Sequence, residues 1–315
     1  MKALFRRTSA ILSVLLLFYA TTLAQNLTQV GGIFNDWTNG RKVILQGDLA
    51  WVLSGEGRIT SVDLSDPAKP NRLGTWVLGK EVSGFSRWGH YLVLAAQETG
   101  IIILDVATTS SPVEVGRLGT PDCAWDVAVT GSYALVADVA KGLIIIDITN
   151  PATPKNAGAL KFDQPVFKVA VEDSLLAVGG LSKVFLVSVN KPDAPKVLGD
   201  IAITVSPQSL LLEEKRLFIS SGVEGLKIVD ISKPAAPQLL STWIPSLGEV
   251  SDIALLGKTL FVAANLGGVR RVDITDVTNP KDVGGVPRLG TAWGVAANRN
   301  LVAAIYGHHF VIYKM

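Results

Sequence analysis

The residues best equipped for chemistry are few. Asp36, Asp126 and Asp252 are carboxylates, and Trp37, Trp125 and Trp293 stand beside them or at the same kind of place. Aromatic faces with carboxylates between them make a stacking surface for a sugar or a peptide. Packed as apolar wedges, the same tryptophans would be core. The three carboxylates have the oxygen chemistry of a hard-cation site, but nothing else in the sequence supports one. His90, His308 and His309 are the only histidines, and they form no His-x-His or His-x-x-x-His pair. The spacing that grips a transition metal is therefore missing, and we expect neither metal nor cofactor. His308 stays a candidate binding residue, in a loop that enters a strand. Cys123 is the single cysteine, so no internal disulfide forms, and a small half-buried thiol is the plain reading. No Gly-x-Ser-x-Gly, phosphate loop or dinucleotide fingerprint appears. No catalytic residue is assigned.

These residues must be held by repeating strands. Asp63, Asp105, Asp147, Ser188, Asp230 and Asp273 each follow an apolar run, at intervals of 42, 42, 41, 42 and 43 residues. That period belongs to four-stranded propeller blades. Eleven residues after each anchor comes a small residue: Gly74, Gly116, Gly158, Gly199, Ser241 and Gly284. Upstream lie two more apolar runs, such as Trp125–Val129 and Tyr133–Ala137, joined by a tight turn. Each unit thus reads as strands A, B, C and D. Strands B and C are apolar on both faces, as in sheets covered on both sides. The anchor residues read as turn fixtures, because a carboxylate or hydroxyl there can accept backbone N–H groups.

Six full units occupy roughly residues 42–289. The tail supplies strands A, B and C of a seventh, with Tyr313 at the anchor position and strand D missing. Residues 26–34 resemble a strand D, and Gly31 lies 43 residues before Gly74, one repeat away. We expect this N-terminal strand to complete the C-terminal blade and remove two open edges. The expected fold is all-β: a seven-bladed β-propeller as a single domain over 25–315.

Residues 1–24 differ. Lys2, Arg6 and Arg7 precede the apolar run Ala10–Ala20, and Thr22-Leu23-Ala24 places small residues before a cut at Gln25. This is the layout of a signal peptide, with an uncleaved anchor as the other reading. Cleavage changes the charge: 29 basic and 27 acidic residues become 26 and 27, a net of −1. No basic face remains for a nucleic acid.

The units, with Leu143–Pro154 and Leu226–Pro237 as the best examples, resemble the LVIVD-repeat family. The resemblance covers essentially all of the chain after residue 24. It implies a β-propeller in an exported or surface protein, and it brings no catalytic residues. Ser188 in place of Asp, and Arg270-Arg271 before Asp273, depart from the pattern. In a propeller the B–C and D–A loops share one face, where function concentrates. The expected function is binding of a protein or glycan of the cell envelope, by a monomer that lies outside the cytoplasm and has no membrane span once cut. The alternatives are a hydrolase or lyase acting on an extracellular polymer or lactone, and an envelope scaffold.

Overall fold

The structure, a computed structural model, describes residues 27–34, 39–286 and 289–315. The expected signal segment, Asp36 and Trp37 lie outside these residues. Among the described residues the strands form seven antiparallel sheets of four strands each. Blades one to six are 42–77, 84–118, 126–160, 166–202, 209–243 and 252–285. Blade seven takes Ala292–Ala297, Leu301–Tyr306 and His309–Lys314 from the end of the chain, and Thr28–Ile33 from its start. Thr28 pairs with Lys314 and Ile33 with Phe310, so the ring closes as the repeat spacing predicts.

Blade three shows why the sequence folds this way. Its strands are Asp126–Thr130, Tyr133–Ala137, Leu143–Asp147 and Lys155–Leu160. The middle two are apolar on alternate residues of both faces, so they must be covered on both sides. Neighbouring blades do this. Seven apolar clusters fill the seven blade-to-blade interfaces, for example Ala137, Leu143 and Ile145 of blade three against Val166 and Val178 of blade four. Leu27 joins the cluster between blades six and seven, beside Phe261, Val302 and Tyr313.

The repeat's small residue has a packing reason. A Cβ on Gly158 would run into the carbonyl oxygen of Pro192, in the C–D loop of the next blade. Gly31 meets the carbonyl oxygen of Pro67 in the same way across the closure. Ser241 keeps the contact by another means, since its hydroxyl donates to the Val277 carbonyl at 2.6 Å. Strand D also carries a bulge at this point: Ile145 faces Gly158 and Ile146 faces Asn156, which leaves Ala157 over. The N-terminal strand copies it, with Val30 left over between Gln29 and Gly31.

Candidate functional site

The A strands bring residues at or near their starts together around the axis. Lys42, Gly84, Asp126, Lys168, Ser209, Asp252 and Gly294 each occupy the same register, opposite the end of strand B in their own blade. One residue earlier lies an outer ring: Arg41, Ser83, Trp125, Phe167, Gln208, Ser251 and Trp293. Most of these line one cavity of about 420 Å³. It opens on the face that carries the B–C and D–A loops.

Two carboxylates of the inner ring clasp neighbouring blades. Asp126 Oδ2 accepts the backbone N–H of Val169 in blade four at 3.2 Å, and Asp252 Oδ2 accepts that of Val295 in blade seven at 3.0 Å. A strand A has no neighbour on its axial edge, so its N–H groups there need other partners. Asp126 and Asp252 supply them. Lys42 reaches over blade two to within 3.8 Å of Asp126 Oδ1. Gly84 permits this, because a Cβ there would strike the Asp126 carboxylate. Asp252 is half-buried in the cavity wall, and desolvation there raises its carboxyl pKa against the lowering pull of the Val295 amide, Ser209 and Lys42.

The cations are unequal. Arg41 is held by Glu81 at 2.6 Å. Lys42 shares Asp126. Lys168 has no carboxylate within 4 Å among the described residues. Aromatic side chains stand above: Trp293 is 48% exposed, and Trp125 meets Phe167 edge to face at 6.0 Å. Thus Trp293 lines the cavity and Trp125 stands outside its lining, while among the described residues Trp51 and Trp243 are the tryptophans buried as wedges between blades.

A third ring lies at the tips of the B–C loops. Glu56, Glu98, Ala140, Leu181, Val223, Leu266 and His308 follow the repeat at 41 to 43 residues. On blades four, five and six the tips are apolar and open, with Leu181 50%, Val223 61% and Leu266 55% exposed. Ile244, Leu247 and Leu289 of the neighbouring D–A loops are exposed beside them. The loops are held firmly. Isolated bridges join Gln97 to Ala124, Val139 to Val166, Gly222 to Val250 and Asn265 to Ala292, each from one blade to the next. In blade three, buried Asp138 accepts from Thr120 Oγ1 at 2.7 Å and from the Asp122 N–H at 3.0 Å. Asp122 in return accepts from the Ala140 N–H at 2.9 Å. Burial, with Asp122, Asp138 and Glu98 nearby, raises the Cys123 thiol, which suits an unreactive group.

The anchor residues sit on the opposite face, at the end of strand C. The Oδ1 atoms of Asp63, Asp105, Asp147, Asp230 and Asp273 accept the N–H two residues on, at 2.8 to 2.9 Å. Ser188 Oγ does so at 3.5 Å. Hydrogen bonds hold three of these carboxyls below the usual range: from the Thr149 side chain at Asp147, the Ser232 amide at Asp230 and the Thr275 side chain at Asp273. Tyr313 takes the anchor position in blade seven and is buried, donating to the Tyr306 hydroxyl at 2.9 Å. Desolvation pushes Tyr313 up to about 12 and raises Tyr306 further.

Of the residues singled out in the sequence, Asp126, Asp252 and Trp293 line the one cavity, and Trp125 lies next to Asp126 outside its lining. Sequence reasoning missed Lys42, Lys168, Ser209 and Gln208. The available signal was the repeat itself, since one and two periods back from Asp126 lie Gly84 and Lys42, and one period forward lies Lys168. His308 is exposed on the same face but does not line the cavity. Among the described residues, no three His, Cys, Asp or Glu side chains gather as metal ligands.

Comparisons with known proteins fit this geometry. The sequence profile described as "LVIVD repeat" matches residues 39–76, 84–120, 123–160, 207–243 and 247–286. Blades four and seven are unmatched: blade four carries Ser188, and blade seven has Tyr313 at the anchor position. No curated protein matches the chain. Among solved structures, the WD40 β-propeller domain of Doa1 superposes with a TM-score of 0.72 at 11% identity, covering 92% of this chain and 97% of that one. The β-propeller domain of Myceliophteria thermophila Cps50 (Swd1) gives 0.70 at 13% identity, with 90% and 99% covered. The computationally designed Ika8 protein gives 0.69 at 10% identity, with 91% and 100% covered. Likeness at these identities is likeness of fold.

Proposed function

Since this chain belongs to the LVIVD-repeat family, we propose that it is an exported, non-catalytic propeller that docks a protein partner of the cell envelope on its loop-rich face. The observation that carries this reading is the apolar crescent. Leu181, Val223 and Leu266 occupy one repeat position on three consecutive blades, and all three point apolar side chains into water. Scattered exposed leucines are ordinary, but apolar side chains repeated at one position on three consecutive blades favour an interaction surface. The tips of blades one and two carry Glu56 and Glu98 instead. The complementary partner segment presents apolar side chains over blades four to six and a basic residue toward blades one and two. Export rests on the basic, apolar and small-residue order of residues 1–24.

A glycan is the second reading, supported by Trp293 in the cavity lining and by the Trp125–Phe167 pair at the same position of the repeat. The enzyme reading draws on one fact, the raised carboxyl of Asp252 inside a cavity. Turnover on a glycan or lactone panel, lost in Asp252→Asn, would establish it.

The test compares the parent with the Val223→Asp, Leu266→Asp double variant. Crosslinking in envelope extracts should yield one protein with the parent and lose it with the variant, and that protein once purified should bind the parent alone. Equal yield from both forms would refute docking on the crescent. N-terminal sequencing of the exported chain should begin at Gln25, and gel filtration should report a monomer.

A further inference from the structure

We propose that the axial cavity is a binding site for an acidic sugar, with the ligand carboxylate on Lys168 and a sugar face on Trp293. This goes beyond the docking reading and rests on the cavity, not on the crescent, so either can fail alone.

The cavity has the size of a small-molecule site: about 420 Å³, against roughly 300–1,000 Å³ for typical ligand pockets. Its charges decide the ligand class. Asp126 and Asp252 face the axis, but each is already engaged by a backbone N–H of the next blade. Arg41 and Lys42 have carboxylate partners at 2.6 Å and 3.8 Å. Lys168 is the lining cation left over among the described residues. Lys168 is half-buried in the cavity wall, and its ammonium attracts an anion in the space beside it.

Lys168 can balance one negative charge, and the carboxylates of Asp126 and Asp252 disfavour a second, so the anion that fits is a monoanion. A phosphate, with a charge near −2, would be repelled by Asp126 and Asp252. A carboxylate carries the charge that Lys168 can balance. The rest of the lining suits a hydroxylated body. Gln208, Ser209 and Ser251 offer amide and hydroxyl groups, which donate and accept at different angles. Trp293, almost half exposed at the rim, offers an apolar face of the kind on which a sugar ring rests. An acidic sugar has all three features at once.

Tryptophan fluorescence and calorimetric titration with glucuronate, galacturonate, glucose and acetate test the proposal. Either uronate should bind at least about ten-fold more tightly than glucose or acetate. Lys168→Met should lose about ten-fold or more in uronate affinity and leave glucose unchanged. Trp293→Ala should weaken both sugars. If Lys168→Met does not fold, Lys168→Gln takes its place. The Val223→Asp, Leu266→Asp variant should bind uronate as the parent does, which separates this site from the docking face. Absence of uronate binding at about 10 mM would overturn the proposal, as would glucose binding equally well or a Lys168 variant of parental affinity.

Discussion

Replacing Leu27 with Ala tests the closure of the ring at a single side chain. Leu27 lies just before the N-terminal strand, where an unpaired chain end would leave it in water. In the closed ring it is 5% exposed and packs between blades six and seven, against Phe261, Val302, Val311 and Tyr313. Removing a buried leucine side chain costs about 2–5 kcal/mol, and a site at the end of a chain can partly collapse, so about 2–3 kcal/mol is expected. Unfolding entropy scales with length, and for about 290 residues it comes to about 0.6 kcal/mol per kelvin. The variant should therefore melt about 3–5 °C below the parent. Thermal melts followed by circular dichroism, with both chains starting at Gln25, measure this. Val223→Ala, at a position 61% exposed, is the control and should shift the melt by less than about 1 °C. If Leu27→Ala melted with the control, the N-terminal residues would not be docked and the inferred closure would be wrong.

Other perturbations probe other parts of the ring. A chain starting at residue 35 should melt well below the parent, with a peptide of residues 25–34 added in trans restoring part of the loss. Gly158→Ala should cost about 1–3 kcal/mol in urea unfolding, because the added methyl meets the Pro192 carbonyl of the next blade. Tyr313→Phe leaves the buried Tyr306 hydroxyl without its donor at 2.9 Å, and should cost about 1–2 kcal/mol by the same assay. The lowered carboxyls of Asp147, Asp230 and Asp273 predict an acid limb. A group held below its unfolded pKa binds fewer protons in the folded state, so its contribution is present at neutral pH and fades as pH falls below about 4. The melting gap between the parent and Asp230→Ala should accordingly shrink from pH 7 to about pH 2.5, and a gap independent of pH would refute it.

The blades were legible because their physics is local. An apolar run, a turn-making carboxylate and a small residue at fixed spacing are set within one unit, and the period repeats them. The closure was legible for the same reason, as Gly31 keeps the phase of Gly74. The axial site was only half legible. Lys42, Lys168 and Ser209 sit where a loop becomes strand A, a place where polarity tells little. What makes them a site is convergence around an axis, and no single unit contains that. The engagement of Asp126 depends on the edge of blade four and on the absence of a Cβ at Gly84. The tryptophans show the same limit: Trp51 and Trp293 are alike as letters, yet one is fully buried and the other almost half exposed.

The pairing of Thr28 with Lys314 bears on how the chain finds its fold. Six blades form from neighbouring segments, which close short loops at little entropic cost and can assemble in turn as the chain emerges. The seventh joins positions from the two ends of the ring, so its last ladder waits for the C-terminal strand. Until then the N-terminal strand has no edge to add to and exposes Leu27, Val30 and Ile33. Refolding should thus show a fast phase that forms most of the sheet and a slower one that ends with the latch, and Leu27→Ala should act on the slower.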